Sequence, residues 1–184
     1  PLCGIERAAY RHEKDQLENS IRFDLMLHAF MLTQSGLPII YSGDEVCRQN
    51  DYSYKDDPNK AEDSRYLHRG KFLWEDAEKR ENPDTIQGRF FTELKKMETL
   101  RSEEDVFASD AEVWTVDTWD NSILGIIRQY NNHKLIALFN FSDQDKTAWI
   151  NEGFQPCRDL MSDELVVPRD VFVPACGFCW LKSN

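Results

Sequence analysis

The stretch Gly36–Arg69, GLPIIYSGDEVCRQNDYSYKDDPNKAEDSRYLHR, decides how the rest of the chain is read. It opens on a short apolar run, Leu37-Pro38-Ile39-Ile40-Tyr41, that predicts a strand over about 37–43, buried on both faces. The small-residue turn Ser42-Gly43 follows, then the adjacent carboxylates Asp44 and Glu45. Beyond them lies a long polar segment rich in Asp, Asn, Tyr, Lys and Arg, running to about Asn82-Pro83. In α/β enzymes an apolar strand delivers chemistry this way, because ligands bind on the loops that leave the carboxyl ends of parallel strands. A loop of this length inside a compact domain is functional or disordered, and its tyrosines and mixed charges favour order.

The flanking sequence fits an α/β unit. Apolar residues at 21, 25, 29 and 32, widened by Phe23, Met26, Leu27, Phe30 and Met31, predict a largely buried helix over 21–35. Asn19 or Ser20 would cap it, and Gly36 and Pro38 would stop it. A shorter helix is expected at about 3–10, and His28 is expected to pack rather than to ligate. After the loop, Trp74 and the charged run to Glu81 predict a short surface helix. Asp84, with Gln87 three residues on, reads as the cap of an amphipathic helix over about 85–102, with Ile86, Phe90, Leu94, Met97 and Leu100 on one face.

Past Val106 the period changes from helix to strand. Alternation over 112–119, then apolar runs at 123–130, 135–141, 147–150, 156–160, 165–167 and 171–181, each bounded by turn residues, predict an antiparallel β-sandwich. The expected fold class is therefore α/β followed by all-β, with residues 1–105 and 106–184 as the two domains.

Composition limits the partners. The 184 residues are 41% hydrophobic and carry 22 Lys plus Arg against 33 Asp plus Glu, a net charge of −11, which argues against a nucleic-acid or anionic-membrane partner. No apolar run approaches the roughly 20 residues that span a bilayer. The opening Pro1-Leu2-Cys3, without an initiator Met, is expected of an excised piece. Five cysteines do not form a disulfide framework, and Cys176-Gly177-Phe178-Cys179 lacks the second ligand pair that zinc needs, so both of its thiols are expected to act as small hydrophobes. The acidic loop lacks an EF-hand pattern, and no metal or organic cofactor is expected.

Residues 36–45 resemble the G-x-P-x-x-Y-x-G-D-E segment on the last barrel strand of glycoside hydrolase family 13, the α-amylase superfamily. The continuation Asn50-Asp51-Tyr52, Asp57-Pro58-Asn59-Lys60 and Asp63-Ser64-Arg65-Tyr66-Leu67-His68-Arg69 is similar to the amylosucrase and sucrose-hydrolase branch. The resemblance implies the C-terminal part of a (β/α)8 TIM barrel followed by a β-domain, whose partner is the N-terminal remainder of that barrel. It implies a parent enzyme that cleaves sucrose and transfers glucosyl to an α-glucan or to water; the alternatives are a non-catalytic module that binds carbohydrate or a partner chain through the β-domain, and a relative acting on another α-glucoside such as maltose or trehalose. A complete barrel needs about 250 residues, and the family's nucleophile, acid/base and stabilising carboxylates lie on strands before this chain begins. No catalytic residue is therefore carried over. Asp44 and Glu45 are sequence neighbours whose side chains diverge, whereas retaining chemistry needs carboxyls about 5–5.5 Å apart. The resemblance implies a substrate-pocket role for Arg65, pairing with an acidic group at the pocket floor; without it, a loop salt bridge to Asp63 or Asp57 would account for this arginine. Asp44 is placed near the sugar or in ordering the loop. His68 and Arg69 are expected to brace the loop, and Trp74, Trp114 and Trp119 to stack on sugars or, more commonly for tryptophan, to pack.

Overall fold

The computed structural model describes residues 3–152 and 155–183. Its helices are α1 (Ile5–Arg11), α2 (Lys14–Thr33), α3 (Trp74–Glu78) and α4 (Ile86–Glu103). The strands are β1 (Glu112–Val116), β2 (Ile123–Tyr130), β3 (His133–Asn140), β4 (Lys146–Trp149), β5 (Cys157–Asp159), β6 (Leu165–Val166), β7 (Asp170–Val173) and β8 (Phe178–Lys182). Among the described residues the strands form one antiparallel sheet in the order β1-β2-β3-β8-β5-β6 and a two-stranded ribbon, β4-β7.

The sheet's alternation sets three layers, because successive side chains of a strand point to opposite faces. Leu135, Ala137 and Phe139 of β3, with Trp180 of β8 and Ile126 of β2, face Met26, Ala29 and Leu32 of α2 and Phe90, Leu94 and Met97 of α4. Ile136, Leu138, Ile123, Ile127, Cys179 and Leu181 face the other way, against Ala148, Val171 and Val173 of the ribbon. The second sheet of the expected sandwich is thus only two strands wide, and helices cover the opposite face. The expected strand over 171–181 is two strands in different sheets. Pro174 withholds a ladder donor and Cys176 sits at φ 53, which turns the chain from the ribbon into the main sheet.

Other expectations shift for local reasons. Helix α2 begins at Lys14, not near 21, with Asp15 in its first turn; Leu17 joins the core and Ser20 is buried inside the helix rather than capping it. Thr85, not Asp84, caps α4: its hydroxyl accepts from the Gly88 N–H at 3.0 Å.

The largest correction concerns 37–43. Residues 37–41 join no ladder among the described residues, and Leu37 and Ile39 are 93% and 84% exposed. Only Ile40 packs against the core. Apolar composition produces a doubly buried strand only where neighbouring strands cover both faces and take up its backbone hydrogen bonds, and among the described residues none lies alongside. No described helix is long and apolar enough to cross a membrane.

Candidate functional site in the loop after Gly43

The polar segment is an ordered loop closed on itself at both ends. Gly43 has φ 102, a conformation that favours glycine, and its N–H donates to Glu45 Oε2 at 2.7 Å. A Cβ there would lie 2.7 Å from Arg48 Cδ, so the Arg48 side chain rests directly over the turn. From that position the Arg48 guanidinium donates to the Gly70 carbonyl. A Cβ on Gly70 would fall 2.4 Å from Asp51 Oδ2, and the Asp51 N–H donates to Leu67 O at 2.9 Å. Two glycines, each pressed against a charged side chain, thus fasten the beginning of the loop to its end.

Between these closures the aspartates do local work. Asp51, Asp57 and Asp63 accept from the N–H groups of Ser53, Asn59 and Arg65 at 2.9–3.0 Å, opening successive tight turns. Among the described residues no group of three or more His, Cys, Asp and Glu side chains is placed to hold a metal.

The loop walls a cavity of about 650 Å³, within the range of small-molecule sites. Arg48, Asp51, Tyr54, Tyr66, Arg69 and Asp76 line it. Cationic forks, carboxylates and phenol rings are donors, acceptors and apolar faces together, the mixture a polyhydroxylated ligand can use. Arg69, expected to brace the loop, faces this cavity, and its guanidinium makes no hydrogen bond among the described residues.

The two residues singled out from the sequence lie elsewhere. Arg65 is exposed and grips Asp63 through Nε at 2.8 Å and Nη2 at 2.7 Å, outside the cavity lining. That bond, with the Arg65 backbone N–H, holds the Asp63 carboxyl down at about 2. Asp44 borders a separate depression of about 310 Å³ together with Asp24, His28 and Cys47. The structure therefore does not bring Arg65 and Asp44 together. Of the cavity residues, Arg48 and Tyr54 were not singled out in the sequence; Gly43, over which Arg48 rests, is the signal that could have found the first.

No protein-family model matches the chain. Its sequence is 27% identical over 177 residues to the glucosylglycerate phosphorylase of Escherichia coli (strain K12), covering 95% of this chain and 30% of that protein. Among solved structures, an Anoxybacillus α-amylase superposes over 90% of this chain and 32% of its own, with a TM-score of 0.63 at 13% identity. The α-amylase of Geobacillus thermoleovorans, complexed with acarbose, superposes over 89% of this chain and 33% of its own (TM-score 0.62, 18% identity). The fold is that of part of an α-amylase. The maltogenic amylase of S. marinus agrees over 89% of this chain and 19% of its own (TM-score 0.59, 18% identity). The chain spans about a third or less of the length of each of these proteins.

Within this α-amylase-type fold, His28 packs between its own helix α2 and α4, at the edge of the depression that Asp44 borders. Its Nδ1 lies 2.9 Å from Asp24 O and 3.3 Å from Asp24 Oδ1, and its ring meets Phe90 edge-on at 5.4 Å. Burial disfavours the imidazolium, but the bonds to Asp24 and the charges of Asp24 and Asp44 outweigh it and raise the pKa. Burial raises the Asp44 carboxyl; His28 opposes that shift, while Asp24 and Glu45 add to it. A histidine whose folded pKa is raised contributes stability that is present below its unfolded value, about 6.5, and is lost as pH rises through the folded value. In a histidine NMR titration His28 is expected to have its midpoint above 6.5, and Asp24→Asn to move it down. A midpoint at or below 6.5 in the parent chain would refute this account.

The cysteines behave as small apolar groups. Burial, then the Asp24 charge, pushes Cys3 up to about 12 and raises Cys47 as well. Cys179 is buried under the ribbon and Cys176 lies in the turn beside Ser142 O, with burial raising both thiols. Trp74, Trp114 and Trp119, for which packing was the commoner expectation, are all exposed to solvent.

Proposed function

We propose that the chain is the C-terminal portion of an amylosucrase-like enzyme of the α-amylase superfamily that cleaves sucrose and passes the glucosyl group to an α-glucan or to water. The observation that carries this reading is the placement of the Asp63–Arg69 block in a loop that walls a polar cavity, with Tyr66 and Arg69 on its lining. The reaction would be a retaining double displacement by two carboxylates supplied by the remainder of the barrel. Residues 1–105 would complete that barrel and 106–184 form its β-domain. The exposed Leu37 and Ile39 support this, because further strands would cover them. Arg65 would exchange Asp63 for an acidic group at the pocket floor, where its planar fork suits a carboxylate and a lysine's point charge does not. Asp44 would order the loop from the side of α2.

The full-length gene product is expected to release fructose from sucrose. Arg65→Ala should lower kcat/KM about 10–100-fold, the scale of a charged hydrogen bond, with little recovery in Arg65→Lys. The 184 residues alone should release none. Turnover of maltose or trehalose in preference to sucrose would overturn the substrate assignment. The likeness to a glucosylglycerate phosphorylase favours a second reading, transfer of glucosyl to phosphate. Phosphate-dependent formation of glucosyl phosphate from glucosylglycerate, with sucrose inert, would establish that reading.

A further inference from the structure

The outer face of the ribbon carries exposed aromatic side chains outside the loop. On β4 and β7 the inward Ala148, Val171 and Val173 alternate with outward Thr147, Trp149, Asp170 and Phe172. Thr147 stands opposite Phe172 and Trp149 opposite Asp170, so Trp149 and Phe172 are diagonal neighbours on one face. The turn between β1 and β2 adds a third ring. Trp119 meets Trp149 edge-on, centroids 5.7 Å apart and planes at 75°. Trp119 is 72% exposed, Phe172 60% and Trp149 37%.

The position of Trp119 is set by the fold. Its φ is 58, a value bulky side chains rarely take, and its N–H donates to Asp117 Oδ1 at 2.8 Å. Its neighbour Thr118 is buried and donates through Oγ1 to Ile123 O at 2.8 Å, while Thr118 O accepts from the Trp149 N–H at 3.2 Å. The turn is thereby tied to the ribbon, and an indole that could have packed inward is held out beside Trp149.

We infer that this face binds a neutral α-glucan chain, at a site separate from the loop cavity. The inference rests on the proposed reading only for the ligand's class. Aromatic rings offer apolar contact to the C–H faces of pyranose rings, and the exposed carboxylates of Asp117 and Asp170 on the rim accept from sugar hydroxyls. The same carboxylates and the net charge of −11 disfavour an anionic ligand. Two rings at 75° form a corner: a flat, straight polysaccharide rests on one of them, whereas a coiling α-glucan follows both.

Native electrophoresis of the full-length protein in gels containing soluble amylose tests the site, with maltoheptaose titrated against tryptophan fluorescence. Migration should be retarded, and Trp119→Ala should weaken maltoheptaose about tenfold, the order expected for one aromatic contact. Trp119→Ala with Phe172→Ala should abolish retardation while far-UV circular dichroism and sucrose turnover stay as in the parent. Equal retardation of parent and double variant overturns the inference, as does no retardation of the parent. So does cellohexaose binding as tightly as maltoheptaose, or self-association that the double variant relieves without any glucan binding. Retained amylose binding with no sucrose cleavage would fault the enzymatic reading alone.

Discussion

Replacing Arg128 by methionine is expected to lower the free energy of unfolding by about 3–5 kcal/mol, the cost of orphaning several buried carbonyls. Arg128 lies in β2, fully buried, with its guanidinium directed to the helical side of the sheet. Nε donates to Val106 O at 2.8 Å, Nη1 to Thr33 O at 2.7 Å and Nη2 to Ala108 O at 2.7 Å. One side chain thus ties the end of α2, the turn after α4 and the sheet together. Burial, then the nearby Arg101, lowers its pKa, and no carboxylate pairs with it among the described residues. Methionine fills similar space but donates nothing. Ala108 O keeps the Ala111 N–H, while Thr33 O and Val106 O lose the donors described here. Arg128→Lys should fall between, since a compact ammonium cannot reach three divergent acceptors. Urea denaturation reads the change, and a loss below about 1 kcal/mol would mean that water or a backbone shift replaces the fork.

Trp180→Ala should cost a similar amount, about 3–5 kcal/mol, for a different reason. The indole is completely buried and packs against Phe107 and Phe178 with centroids 5.0 and 5.4 Å away. Its removal leaves a cavity between the helices and the sheet that rigid elements on both sides cannot close. Nε1–H also donates to Thr33 Oγ1 at 3.0 Å, and that hydroxyl in turn donates a hydrogen bond to Ala29 O at 2.8 Å. Trp180→Phe keeps most of the apolar area and loses the bond, so it should cost about 1–2 kcal/mol. Thr33 receives Trp180 through its side chain and Arg128 through its carbonyl. The two substitutions combined should therefore lose an amount different from the sum of their separate losses. Strict additivity would show that Thr33 does not couple them.

The β-region was legible because its strands obey period two and end on turn residues: 123–130 and 133–140 fall within two residues of the expected limits. Helix α4 was legible from its apolar stripe. The sequence was weakest wherever a residue's role depends on a distant partner. Arg128 reads as an ordinary polar residue at the end of a strand, and nothing local tells that three carbonyls from two other segments, the end of α2 and the turn after α4, converge on it. Leu37 and Ile39 have strand composition, but a strand is a property of a neighbourhood. In the loop, Asp51 and Asp57 open turns and line the cavity as well, and they share its wall with Arg69, which composition made look like a brace.

The α2–α4 layer and the sheet share one core, in which Phe139 and Trp180 meet Met26, Leu32, Phe90 and Met97. For anyone building chimaeras, the natural seam is therefore not the helix-to-strand transition near residue 105. A β-region cut there and grafted onto another scaffold would arrive with an aromatic face uncovered, and it would accept only hosts whose two helices present matching contours. The transplantable unit is the sheet together with its helical backing, and inheritance of these segments across relatives should follow the same rule, with substitutions at Thr33 answered by substitutions at 128 and 180.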